Sequence, residues 1–196
     1  MTRIPVWMQI LLVATLLSAC SKAPPTFLST DITGGPFSAE FTLADQTGKP
    51  RSMSDFKGKV VAMFFGFTHC PDVCPTTMSE LKAALAQLGP AAANDVQVLF
   101  VTVDPERDTP QLLASYIGAF DPNFLGLRGT PEELKALAKQ MRVFYQRSES
   151  KDGNYSMDHN AATFIFDRKG RIRLLVSYGA GAKTFAHDIK RLLVEK

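Results

Sequence analysis

Only three of the 196 residues are cysteine, three are histidine and one is tryptophan. So few thiols exclude a disulfide-dense scaffold. The 13 glycines and 12 prolines follow no period, which excludes a collagen-like or low-complexity chain. No Lys/Arg cluster is dense enough to form a nucleic-acid-binding face, and 22 basic against 19 acidic residues leave a formal charge of only +3. The longest apolar run, Ile4 to Ala19, covers about 16 residues and stops short of the roughly 18–20 that span a bilayer. What remains is a 45% hydrophobic chain, long enough for one well-buried domain.

That apolar run follows Arg3 and gives way abruptly to the polar, Pro-rich SKAPPT, the pattern of a secretory signal peptide. Its exit, Leu17-Ser18-Ala19-Cys20, resembles the lipobox of bacterial lipoproteins. The resemblance implies cleavage before Cys20 and acylation at Cys20, where two or more acyl chains give stable attachment. An uncleaved N-terminal anchor is the alternative. In either case the domain is placed outside the cytoplasm, in a bacterial periplasm. The expected organisation is a signal peptide over 1–19, a lipidated tether over 20–36, and one domain over 37–196. Removing Cys20 from the count leaves two thiols, Cys70 and Cys74.

Along the domain, Phe41-Thr-Leu before the turn residues Asp45 to Lys49 predicts an opening hairpin. Val60 to Phe67 reads as a strand buried on both faces. A helix follows, with Met78, Leu81, Leu85 and Leu88 on one face, a capping box from Thr77 and Glu80, and a stop at Gly89-Pro90. Val96 to Val103 is the next strand. The DPERDT loop leads into a helix with Leu112, Leu113, Tyr116, Ile117 and Phe120 inward. Thr130-Pro131-Glu132-Glu133 opens another, inserted helix that buries Leu134, Leu137, Ala138 and Met141. Residues 161–167 and 171–177 flank a turn, and Thr184 to Val194 closes the chain as a helix. The order β-α-β-α, inserted helix, β-β-α predicts an α/β, thioredoxin-like fold with an N-terminal hairpin extension.

Cys70-Pro-Asp-Val-Cys74 falls where the first long strand ends and its helix begins, the sheet edge at which open α/β folds bind ligands. A helix N-terminus favours thiolate, which is both the nucleophile and the metal-binding form. With three intervening residues, the pair can close into a disulfide or open around a metal ion. Among the histidines, His69 reads as a packing or hydrogen-bonding residue and His187 as a solvated surface residue. His159 is different: it immediately precedes the hairpin strand whose thioredoxin counterpart begins with a Pro-Thr pair facing the cysteines. Here that pair is Ala162-Thr163, and an imidazole arrives three residues earlier. Two thiolates and one imidazole form a soft, three-coordinate set suited to copper, whereas structural zinc asks for a fourth ligand. Met157 is a candidate weak extra ligand, though packing suits it better.

The blocks FFGFTHCPDVCPTTMSEL, VTVDPERDTP and DHNAATFIFDRKGRI, in this order, resemble the Sco/SenC family of copper-binding proteins that assist assembly of the CuA site of cytochrome c oxidase. The resemblance runs from about residue 35 to 195. It implies copper, Cu(I) or Cu(II), held through Cys70, Cys74 and His159, with delivery to cytochrome c oxidase subunit II or another copper protein, or reduction of that protein's cysteines. It places Asp72 and Asp158 beside the ligands or facing the partner. Asp104, Arg107 and Asp108 are either partner-contacting or a capped turn held by local ion pairs. A monomer is expected. Many members carry a transmembrane helix where this chain shows a lipobox.

Two other functions use the same cysteines. A periplasmic thiol-disulfide oxidoreductase would use Cys70 and Cys74 without metal delivery, but the missing proline before Thr163 and the presence of His159 favour the metallochaperone. A peroxidase would need Thr or Ser three residues before Cys74, where the chain has Pro71.

Overall fold

The computed structural model describes residues 26–149 and 154–195. The apolar run from Ile4 to Ala19 and the lipid-site candidate Cys20 lie outside the described residues.

Two seven-residue strands, β4 (Val60–Gly66) and β5 (Val96–Thr102), are buried along their whole length. Their near-continuous apolar sequence is what a strand covered on both faces requires. They run parallel, with Val60 opposite Val96 and Gly66 opposite Thr102. A third parallel strand, β6 (Leu125–Arg128), lies beyond β5. On the other side of β4 the direction reverses, because β9 (Ala162–Phe166) and β10 (Ile172–Ser177) form a hairpin and β9 pairs antiparallel with β4. The short strands β2 (Leu43–Asp45) and β3 (Pro50–Arg51) form the opening hairpin on β6, so the α/β, thioredoxin-like expectation with its N-terminal hairpin holds.

The longer helices among the described residues are α1 (Val73–Leu88), α2 (Pro110–Gly118), α3 (Pro131–Met141) and α4 (Gly181–Val194), with a single helical turn at Pro90–Ala93 after α1. Helices α1 and α4 pack on each other, and α2 lies against β6. Helix α3 starts at the predicted capping box, with the Thr130 hydroxyl accepting from Glu133 N–H and the Glu133 carboxylate from Thr130 N–H.

Several local expectations change. Helix α1 begins four residues before Thr77, so Thr77 is inside it and donates its hydroxyl proton to the Val73 carbonyl at 2.9 Å instead of capping. Leu112 is exposed, because the inward face of α2 is set by Leu113 and Ile117, one turn apart. A further ribbon, unforeseen, joins β7 (Tyr145–Glu149) to β8 (Tyr155–His159), and among the described residues it pairs with no other strand. Within the stretch expected as tether, Thr30–Asp31 forms β1 on the outer edge of β10. The cause is Asp188, a fully buried carboxylate on α4 that accepts the Leu28 and Ser29 N–H groups at 2.9 Å. His187 is tied to the same carboxylate at 2.8 Å, so it is a half-buried partner and not a freely solvated residue.

Candidate metal centre

The end of β4 sets the site. Gly66 is its last residue, and a Cβ there would stand 2.9 Å from Cys74 Sγ and 2.8 Å from the rings of Phe64 and Phe100. The absent side chain leaves the space that the sulfur fills. The chain then turns through Phe67, Thr68 and His69, with Cys70 N–H donating to the Phe67 carbonyl. Asp108, fully buried, fixes this turn by accepting from Thr68 N–H, from Thr68 Oγ1 at 2.6 Å and from Thr102 Oγ1 at 2.6 Å. His69 hydrogen bonds with Thr68 and stays half exposed, in keeping with its expected role.

Cys74 is in the first turn of α1 and wholly buried, whereas Cys70 is half-buried in the preceding loop; both are unbridged. The Cys74 N–H points at Cys70 Sγ at 3.4 Å. The two thiols are electrically unequal. The Cys74 thiol donating to Cys70 lowers the Cys70 pKa to about 5 against the effect of burial, helped by the amides of Cys74 and Asp72 and by His159. Cys74 moves up, first because its proton is engaged with Cys70 and then because it is buried. Of the pair, Cys70 is thus the one whose surroundings favour thiolate, and those of Cys74 favour the thiol.

His159 comes to the group from the chain just before β9, the neighbour of β4. As the last residue of β8 it brings Nε2 to 3.8 Å from Cys74 Sγ, while Nδ1 lies 3.0 Å from the Asn160 carbonyl. Phe64 and Phe67 present their faces or edges to the imidazole, with ring centroids 6.1 and 5.9 Å away. Among the described residues no three His, Cys, Asp or Glu side chains already form a closed metal cage. One donor pair, Cys74 Sγ and His159 Nε2 at 3.8 Å, is nonetheless close to the spacing that a shared ion would set. Bonds of about 2.3 Å to sulfur and 2.0 Å to nitrogen at tetrahedral to trigonal angles set S and N about 3.5–3.7 Å apart. Loading would first require loss of the proton that Cys74 holds.

Of the other residues singled out from sequence, Asp72 stands exposed at the start of α1, where its carboxylate accepts from the Thr76 hydroxyl at 3.3 Å. Asp158 is exposed on the side of β8 opposite His159, and Met157 lines a cavity under the ribbon. Asp104, Arg107 and Asp108 form a capped, ion-paired turn, with Arg107 reaching further, to Tyr155 on β8. Gly66, Phe67 and Tyr155 were not anticipated, since nothing in their local sequence separates them from other core and strand residues.

A parallel β4–β5–β6 core, the β9–β10 hairpin beside it and a cysteine pair at a strand-to-helix junction define a thioredoxin-like protein. Solved structures share this fold: apo Sco1 from Thermus thermophilus (44% identity, TM-score 0.77, covering 87% of this chain and 99% of that one) and copper-bound ScoI from Bradyrhizobium japonicum (40%, 0.74, covering 80% and 99%). The SCO1/SenC family model matches residues 29–194, and the chain belongs to that family. The mitochondrial SCO1 homolog 1 of Arabidopsis thaliana is 40% identical over 132 residues, 67% of this chain and 38% of the plant protein. The matched region spans between 38% and 65% of the first curated relatives.

Proposed function

We propose that this protein binds one copper ion through Cys70, Cys74 and His159 and delivers it, as a membrane-anchored periplasmic metallochaperone, to the CuA site of cytochrome c oxidase subunit II. Copper is here the cargo. The observation that carries the reading is the 3.8 Å approach of His159 Nε2 to Cys74 Sγ, across 85 residues of chain, beside a second sulfur already poised as thiolate. Support comes from the donor chemistry, two thiolates and one imidazole, which suits copper in both oxidation states. Copper occupies the Bradyrhizobium relative. The lipobox ending at Cys20 supports attachment to the membrane, with residues 1–19 removed as a signal peptide.

The test is titration of the reduced full-length chain with Cu(I) and with Cu(II), alongside Cys70→Ser, Cys74→Ser and His159→Ala. One equivalent of copper in the wild type, lost or greatly weakened in all three variants, is the expected result. Binding unaffected by any of them overturns the reading.

A second activity at the same sulfurs is supported by their unequal protonation. The Cys70 thiolate would attack one sulfur of a disulfide in the recipient, releasing the other as thiolate. Cys74, once deprotonated, would then displace the recipient's remaining sulfur. The recipient gains two electrons and becomes a dithiol; Cys70 and Cys74 become a disulfide. His159→Ala should spare this reaction while weakening copper binding, which separates the two activities.

A further inference from the structure

Arg107 offers no metal donor, yet it joins the loop after β5 to the strand that carries His159. Its Nε donates to Asp104 Oδ2 at 2.5 Å, and its Nη1 donates to the Tyr155 carbonyl at 2.8 Å. The guanidinium carbon lies 3.6 Å from the centroid of the Tyr155 ring, and the Tyr155 hydroxyl returns to Asp104 Oδ1 at 2.9 Å. Arg107, Asp104 and Tyr155 thus form a closed triangle of charge, hydrogen bond and ring. Arg147 adds a second cation 3.7 Å from the same ring centroid.

The strand so held needs holding. Among the described residues the β7–β8 ribbon pairs with no other strand, and a two-stranded ribbon by itself is marginal in water. Beneath it is a cavity of about 150 Å³ lined by Asp104, Leu134, Tyr155 and Met157, so packing from below is incomplete. On β8, Tyr155, Met157 and His159 alternate with the exposed Ser156 and Asp158, which puts them on one face. Tyr155 and His159 thus stand four residues apart on the same face of one strand. Arg107 also lies 5.9 Å from the centroid of Phe67, the ring whose centroid is 5.9 Å from the imidazole.

We propose that Arg107 is a positioning residue for the copper site, clamping Tyr155 to Asp104 so that β8 holds His159 against the Cys74 sulfur. The proposal rests on His159 being a ligand, and the experiment keeps the two claims apart. Copper dissociation constants are measured for the full-length chain as wild type, Arg107→Met, His159→Ala and the double variant. Amide hydrogen exchange of β8 is followed in the same proteins without metal. Arg107→Met should weaken copper binding about 10–100-fold, the range for residues that orient a metal ligand, and should speed exchange at Met157 and His159. With His159 already replaced, the same substitution should change affinity by less than about twofold.

An equal loss in both backgrounds overturns the proposal, since Arg107 would then act without His159, and so does unchanged exchange with unchanged affinity. If His159→Ala binds copper like the wild type, the ligand assignment falls, and exchange in the metal-free protein still reports whether Arg107 holds β8. Should Arg107→Met fail to fold, Tyr155→Phe decides. It keeps the ring and removes only the hydroxyl bond to Asp104, so a loss of about fivefold that disappears in the His159→Ala background is expected, and no loss overturns the proposal.

Discussion

Replacing Gly66 by alanine adds one methyl group at the crowded floor of the site. The new carbon would sit 2.8 Å from Phe64 and from Phe100 and 2.9 Å from Cys74 Sγ. Carbon contacts are comfortable at about 3.5–4.0 Å, so each neighbour must retreat by roughly 0.6–1.2 Å. None can do so freely, because all three are fully buried. Overpacking of this kind costs about 1–3 kcal/mol, or roughly 2–12 °C in melting temperature for a domain of this size. The sulfur is one of the three displaced groups, so copper affinity should fall together with stability. Thermal unfolding of the metal-free protein and copper titration measure the two effects. Gly118→Ala, where no atom lies within 4 Å of the added carbon, serves as control and should gain up to about 1 kcal/mol of helix stability. If Gly66→Ala melted within 1 °C of wild type and bound copper equally well, the packing argument would be wrong.

Two further outcomes follow from charge. In the reduced, metal-free protein, alkylation of Cys70 by iodoacetamide should rise with pH around a midpoint near 5, where the thiol loses its proton, and not near the ordinary value of about 8.5. A midpoint above 8 would remove the Cys74-to-Cys70 hydrogen bond from the account, and Cys74, buried and keeping its proton, should react far more slowly than Cys70. Asp188 is raised by burial but lowered overall by the Leu28 and Ser29 N–H groups and by His187. Its contribution is therefore fully present above about pH 4, the unfolded value, and is lost as pH falls through the lower folded value. Asp188→Ala should cost about 2–3 kcal/mol at pH 7 by urea unfolding, with the gap to wild type narrowing towards pH 2. A gap that stays constant with pH would contradict this assignment.

The parts of this molecule legible in the sequence are those whose local pattern and tertiary fate agree. Val60–Gly66 and Val96–Thr102 read as doubly buried strands because both faces are apolar, and Thr130-Pro-Glu-Glu announces a helix start that tertiary contacts leave untouched. The start of α1 differs from its sequence signal because Thr77 and Glu80 have the letters of a capping box, whereas the helix is already under way at Val73 and buries Thr77. The β7–β8 ribbon was invisible because YQRSE and YSMDH carry little apolar alternation, so their pairing depends on side chains elsewhere, Arg107 among them. Strand β1 could not be read from a segment rich in Thr and Gly, because what orders it is a carboxylate about 160 residues away. Cys70, Cys74 and His159 could be singled out from spacing and residue type, but the unequal protonation of the sulfurs depends on which amides face which atom.

The pairing of β4 with β9 has one more consequence. Everything on the cysteine side of the site follows directly from β4, and the imidazole comes just before β9, so the two sets of donors meet only through the register that puts Phe64 opposite Thr163. A slip of one residue would exchange β9's two buried faces and shift His159 relative to the sulfurs. On the proposed ligand set, the complete site is a fingerprint of the finished sheet: without the β4–β9 register the two cysteines and the imidazole are not brought together.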